Sequence, residues 1–261
     1  MHTPLEKYFT LRVKNLFNHL HDFELNGDEV SLHDLRVEMK KLRAIIKFLR
    51  NIYPDQKLKK PTHLLRNIFQ EAGYIRELQI ILQWLQKNEY NVIAKIYYPQ
   101  EKLKAMIEDF QKSTHRLKED CKEITETVAV FVHRTNEILA EQYFVDLNAQ
   151  VEKLCRRNLP QTEWHELRKL IKQRIYAYNW VHHETENDDP HFAYYHKLQE
   201  AIGLWHDMEF IKENLAQKQV YLSQDIEVQK DLNLAWNKLS GSLKYREKHV
   251  EEMLAKQAGQ D

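Results

Sequence analysis

The stretch His33-Asp34-Leu35-Arg36-Val37-Glu38-Met39-Lys40-Lys41-Leu42-Arg43, continued through Ile45, Ile46, Lys47 and Leu49, decides the fold class. Wound at about 100° per residue with His33 at zero, Arg36, Lys40, Arg43 and Lys47 fall at about −60°, −20°, −80° and −40°. Leu35, Met39, Leu42, Ile45, Ile46 and Leu49 gather on the other side, the face that a helical bundle buries. The acids of this stretch, Asp34 and Glu38, project at about 100° and 140°, outside the basic stripe. Solvated helices usually intersperse charges of opposite sign to gain i,i+4 pairs. Here one sign is concentrated over about 20 Å of helix. Such a row repels itself and needs a counter-anion, supplied by acidic side chains of the same protein or by a ligand.

The same helical periodicity extends along the chain. Pro54, Pro61, Pro99, Pro160 and Pro190 punctuate it, because proline removes a backbone donor and ends helices. Further breaks are expected at Asn26-Gly27-Asp28 and near Tyr221-Leu222-Ser223. The spacing predicts helices over residues 3–22, 29–52, 60–88, 98–127, 129–158, 161–182, 191–218 and 224–257. The division at 127/129 is the least marked, since residues 105–159 also read as one long bent helix. No segment alternates with period two for long enough to compete as a strand. Five glycines in 261 residues, against a usual share of about 7%, exclude turn-rich β architectures and glycine-rich phosphate loops. The fold class is all-α.

An internal repeat lies beneath this pattern. His33, Leu35, Arg36 and Lys40 are matched by His165, Leu167, Arg168 and Lys172, and Gly73-Tyr74-Ile75-Arg76-Glu77 by Gly203-Leu204-Trp205-His206-Asp207. The offset is 132 residues for the histidines and 130 for the glycines. Two matches at nearly one offset predict a duplication, with halves near 1–128 and 129–261, each a four-helix unit. The second stripe is thinner. Lys169 and Tyr176 fall at about 40° and 20° from His165, but Ile175 and Asn179 stand where the first half has Arg43 and Lys47. Arg174 falls among the apolar positions. If the second stripe faces a ligand as the first does, arginine at Ile175 would complete it; if the helix is rotated to bury Ile175, Arg174 turns outward instead.

Composition narrows the function. An apolar share of 43% with 30% charged residues excludes disorder, and 39 basic against 39 acidic residues leaves no net charge to advertise an anionic partner. Cys121 and Cys155 form no C-x-x-C pair, so neither a disulfide framework nor a thiolate zinc site is expected. No secretory leader or membrane span is read, and the expectation is a soluble protein of a reducing, cytoplasmic compartment.

The paired H-x-x-R-x-x-x-K segments at His33 and His165, each followed about forty residues later by Gly73-x-x-Arg76-Glu77 or Gly203-x-x-His206-Asp207, resemble the CHAD domain, the conserved histidine α-helical domain. The resemblance covers nearly the whole chain. His206 stands where the family commonly has arginine, Glu77 where it has aspartate, and Ile175 where a basic residue is expected. The resemblance implies two four-helix bundles related by pseudo-twofold symmetry, with a basic central channel that binds inorganic polyphosphate. Arg36, Arg43, Arg76 and Arg168 would supply forked donors to phosphoryl oxygens. Lys40, Lys41, Lys47, Lys169 and Lys172 would supply compact charges. His33 and His165 would donate from the channel floor, with Tyr176 and His206 completing the set. No catalysis and no cofactor are implied, and polyphosphate granules are a candidate station within the cytoplasm.

Other constellations are weaker. Trp164-His165-Glu166-Leu167-Arg168 begins like a zincin helix, but Lys169 occupies the place of the second histidine. The run from His182 to His191 collects three histidines and four carboxylates, a composition that suits zinc but equally suits a solvated loop. The stripe holds anion binders without the paired carboxylates that hold metal for phosphoryl transfer. Nucleic-acid backbone uses the same basic chemistry, yet the stripe lacks interleaved aromatics and any recognised DNA- or RNA-binding signature. An acidic protein partner is the third class.

Overall fold

A computed structural model describes residues 3–157, 159–181, 191–219 and 226–258. Among these residues every regular element is helical: α1 (Pro4–Asn26), α2 (Glu29–Ile52), α3 (Lys59–Lys87), α4 (Asn91–Tyr97), α5 (Gln100–Lys112), α6 (Thr114–Val132), α7 (Glu137–Cys155), α8 (Gln161–Val181), α9 (Phe192–Gln219) and α10 (Ile226–Ala258). The chain is all-α, as its periodicity predicts.

Local chemistry sets the boundaries. Thr3 and Glu6 form a reciprocal capping box at the start of α1, with Pro4 in its first turn. Gly27 ends the helix at φ +61°, and a Cβ there would meet Ile107 Cγ2 at 2.9 Å, so both conformation and space require glycine. Gln111 donates from α5 to the terminal carbonyls of Phe23 and Glu24, at 3.1 and 3.0 Å. Asp28 then caps α2 by accepting from the Ser31 N–H.

Three boundaries differ from the sequence reading. The helix expected over 98–127 is two helices, divided at Ser113. There the Ser113 and Thr114 hydroxyls donate back to the Phe110 and Gln111 carbonyls, offering the backbone an alternative to the helical ladder. Residues 127–129 lie inside α6, whose end falls instead at His133–Asn136. Thr135 donates to the Phe131 carbonyl, and Asn136 caps α7 by accepting from Leu139 N–H. The short helix α4 was not anticipated.

The chain divides into two compact units, comprising the described residues of Met1–Gln79, Glu101–Asp146 and Tyr176–Thr185, and of Ile80–Gln100, Leu147–Ile175 and Glu186–Asp261. In the first, α1 packs on α2, and α6 against both. All six apolar residues read from the α2 pattern are buried, each contributing about 1.5–3 kcal/mol of transfer free energy. Phe48, Tyr143 and Trp180 cluster in this unit, the Phe48 ring tilted 4.8 Å from Tyr143 and 5.3 Å from Trp180, with Tyr143 and Trp180 stacked at 6.3 Å. In the second unit α9 packs along α10, and Trp164 meets Trp205 edge-to-face at 5.0 Å.

The second unit also corrects the reading of Arg174 and Ile175. Both are buried. Arg174 does not turn outward: its Nε donates to Asn148 Oδ1 at 2.7 Å and its guanidinium lies 4.6 Å from the Tyr195 ring centroid. Asn148 and the aromatic face let a cation occupy an apolar helix face. Ile175→Arg would therefore place a second charge in this core rather than complete a stripe. The expected cost is on the order of 2–4 kcal/mol, read as a lowered Tm in thermal melts. Ile175→Val should cost only about 1 kcal/mol. An unchanged Tm for the arginine variant would show that position 175 reaches solvent.

Candidate functional site

The buried face of α2 fixes where its basic residues stand. With Leu35, Met39 and Leu42 packed inward, His33, Arg43 and Lys47 are exposed while Arg36 and Lys40 are half-buried. Arg36 reaches α3, where its NH1 donates to the Phe69 carbonyl at 2.7 Å. That carbonyl is approachable because Gly73 lies one turn on: a Cβ at Gly73 would stand 3.0 Å from Arg36 NH1. The glycine is a notch for a guanidinium. The Phe69 ring lies 4.1 Å from the Arg36 guanidinium carbon, 4.8 Å from that of Arg43 and 5.9 Å from Lys40 Nζ. Three cations thus gather around one aromatic ring, which attracts them without contributing a negative charge.

Their proximity shows in their proton affinities. Burial, with Arg76 and Arg43 adding to it against Glu77, brings Arg36 down to about 10. Arg43 is held below its ordinary value by burial and by Arg66. Arg66 belongs to this cluster and was missed in the sequence. The 3-4-3 spacing of Arg66, Phe69, Gly73 and Arg76 on α3 is the signal that finds it. His33 is held below the usual imidazole range by partial burial, then by Arg76 and Lys40, with Asp34 and Glu29 opposing.

Two acids behave otherwise than the sequence suggested. Arg76 pairs with Glu29, in the first turn of α2, rather than with its sequence neighbour Glu77. Glu38 is no bystander: it is buried and accepts from Lys41 Nζ at 2.8 Å and from Arg12 NH1 at 3.1 Å. Lys41 is thereby tied to the flank of the helix, about 80° from His33, and is not brought into the cluster around Phe69.

The second unit holds a matching arrangement. Arg168 Nε donates to the Gln199 carbonyl at 3.1 Å, four residues before Gly203, as Phe69 stands four before Gly73. A Cβ at Gly203 would meet Arg168 NH2 at 2.7 Å. The His165 and His206 rings stack, with centroids 4.9 Å apart and planes inclined by 25°. Burial, then Lys169, His206 and Arg168, hold His165 below its usual value against Glu166. Lys172 is half-buried and brought down to about 8 by burial and Arg168, with Asp207 and Glu200 opposing. Asp207 thus supports Lys172, its contact with His206 being a long 3.9 Å. Lys169 is exposed and pairs with Glu166 at 2.7 Å. Tyr176, expected beside His165, belongs to the first unit, where it neighbours Tyr8.

These clusters present donors and positive charge. Cys121 and Cys155 are buried with thiols pushed up to about 12, which makes them poor nucleophiles. Among the described residues no group of three metal-ligating side chains comes together, and no helix is long and apolar enough to cross a membrane. Of the run considered for a divalent ion, residues 182–190 lie outside the described residues; His191 sits 6.1 Å from Tyr195.

Comparison with known proteins agrees with this fold. The crystal structure of the CHAD domain from the plant Ricinus communis superposes with a TM-score of 0.81, at 13% sequence identity, covering 99% of this chain and 91% of that one. That likeness concerns the fold. A search of curated proteins finds no match. The family model of the CHAD domain matches residues 7–216. The chain that carries these two arginine–glycine clasps belongs to the CHAD domain family.

Proposed function

We propose that this protein binds inorganic polyphosphate and performs no chemistry on it. The family is linked to polyphosphate binding in general. The observation that carries the reading for this chain is the cluster around Phe69. Arg36 and Arg43 have no carboxylate within ion-pair reach among the described residues; a ring and a backbone carbonyl hold them instead. Pinned by one N–H to the Phe69 carbonyl, the Arg36 fork keeps further donors for phosphoryl oxygens, and Arg43, Lys40 and Arg66 extend the charge around it. In the second unit Arg168, Lys172, Lys169, His165 and His206 play the corresponding part. A linear polyanion suits charges spaced along a helix, and its bound counterions are released on association. The reading includes the family's architecture, an internal duplication near 1–128 and 129–261 with a basic channel as the seat of the chain. It also includes a cytoplasmic setting, with polyphosphate granules as a station.

Arg36→Glu combined with Arg43→Glu should lower polyphosphate affinity by about 100-fold or more, since each charge-assisted contact is worth about 1.5–3 kcal/mol. Helicity should persist, and Tm should fall by only a few degrees for the lost bond to Phe69. Titration calorimetry at fixed salt, with duplex DNA and an acidic peptide as competitors, measures this. Unchanged affinity in the double variant would remove these residues from the site, and preference for either competitor would replace the ligand.

The glycine notches give a test of opposite sign. Alanine within a helix is worth about 0.8–1 kcal/mol over glycine, so Gly73→Ala should leave Tm unchanged or raised. The added Cβ nevertheless displaces Arg36 NH1, and polyphosphate affinity should drop about tenfold. Gly203→Ala should act likewise through Arg168, where the approach is closer. A lowered Tm with unchanged affinity would mean that the glycines serve packing alone.

A further inference from the structure

We propose that the anion cluster of the second unit is gated by protons, whereas that of the first carries a standing charge. This deepens the polyphosphate reading and rests on it. The two clusters share the arginine clasp but differ at the group beside the motif histidine. In the first unit that group is Arg76, a guanidinium paired with Glu29. In the second it is His206, stacked on His165. The α8 position matching Glu29, at the 132-residue offset of the histidines, is Gln161, which is neutral. An arginine–carboxylate pair in one half is thus replaced by a histidine and an amide in the other.

A stacked imidazole pair has a built-in limit. With centroids 4.9 Å apart, two imidazolium rings repel each other, and Lys169 and Arg168 on α8 add to that repulsion at His165. His165 Nδ1 is buried and has no hydrogen-bond partner, an arrangement that disfavours charge on this ring while the site is empty. The acids facing the pair are few and divided. Glu166 on α8 is engaged by Lys169, while Asp207 and Glu200 on α9 support Lys172. Glu209 faces His206, but burial and the neighbouring Glu213 and α10 residue Glu247 hold its carboxyl above the usual range. It therefore loses charge sooner than an ordinary carboxylate as pH falls. A bound polyanion supplies the missing negative charge. Each imidazole then gains a proton more readily in the complex than in the free protein.

The linkage has a definite sign. A group that binds protons more tightly in the complex strengthens association as pH falls through its bound-state pKa, and the gain levels off below its free-state pKa. Because burial and neighbouring cations hold His165 below the usual imidazole range in the free protein, the window runs from its bound-state pKa down past that range. Lys172, brought to about 8, loses charge above that pH and extends the window upward. The first cluster has arginines in the corresponding places, Arg36, Arg43 and Arg76, and His33 as the one imidazole of that cluster.

The test titrates the full chain with long-chain inorganic polyphosphate, whose internal phosphates stay singly charged throughout, from pH 8.0 to 5.5 at constant ionic strength. Wild type should tighten about tenfold for each proton taken up per pH unit, with proton uptake read from calorimetry in buffers of different ionisation enthalpy. His206→Arg should bind at pH 8 about as tightly as wild type does near pH 6, with a flattened profile. His206→Gln should keep the weak affinity and reduce the slope to what His165 and Lys172 supply, and His33→Gln should retain most of it. Melting temperatures confirm that each variant is folded. A flat wild-type profile with tight binding would overturn the gate and leave the polyphosphate reading standing. So would a slope that survives His206→Arg and His206→Gln but vanishes in His33→Gln. Absence of binding at every pH would overturn the polyphosphate reading itself.

Discussion

The contact on which each cluster depends is a guanidinium lodged in a glycine notch. Arg36 on α2 donates to the Phe69 carbonyl beside Gly73, and Arg168 on α8 donates to the Gln199 carbonyl beside Gly203. A carbonyl inside a helix already accepts from the amide four residues on, and its second lone pair is normally shielded by side chains. Removing one Cβ opens a path wide enough for a planar cation. The clasp joins a long side chain to a second helix at one point and lowers the entropy that arginine would otherwise lose on meeting a ligand. In a chain with so few glycines, two of them are spent on the same geometry.

The sequence made one layer of this legible and hid the next. The apolar face of α2 was read correctly because helical period reports burial directly, and Leu35, Met39, Leu42, Ile45, Ile46 and Leu49 all pack inward. The stripe opposite them follows by subtraction. Partners from distant helices do not follow. Glu38, at about 140° from His33, borders the apolar face, but only the fold brings Arg12 from α1 to its carboxylate and draws Lys41 to the same oxygen. Arg76 finds Glu29 rather than its neighbour Glu77 for the same reason. The division between α5 and α6 was illegible because two hydroxyls make it, Ser113 and Thr114, and such residues also occur inside helices. The notch role of Gly73 and Gly203 was visible only as a coincidence of spacing until the arginines were seen against them.

The balance of 39 basic and 39 acidic residues conceals where the charges are used. Glu38 takes Arg12 and Lys41, Glu29 takes Arg76, Glu71 and Asp120 take Arg116, and Glu24 takes Lys118. Acids are thus consumed around the clusters more than within them. Arg36 and Arg43 lean on an aromatic face, which holds cations in place at no cost in net charge. Ion pairs would have held them as firmly and left nothing for a ligand. With no net charge, this protein has little long-range pull on an anion, and at physiological salt any field is screened within about 8 Å. Under the proposed polyphosphate reading, recognition therefore has to occur at contact, where half-buried cations would meet a ligand that brings negative charge at close and regular intervals. A ligand with one or two charges would satisfy one clasp and leave its neighbours repelling each other, whereas a chain of phosphates relieves the whole row at once.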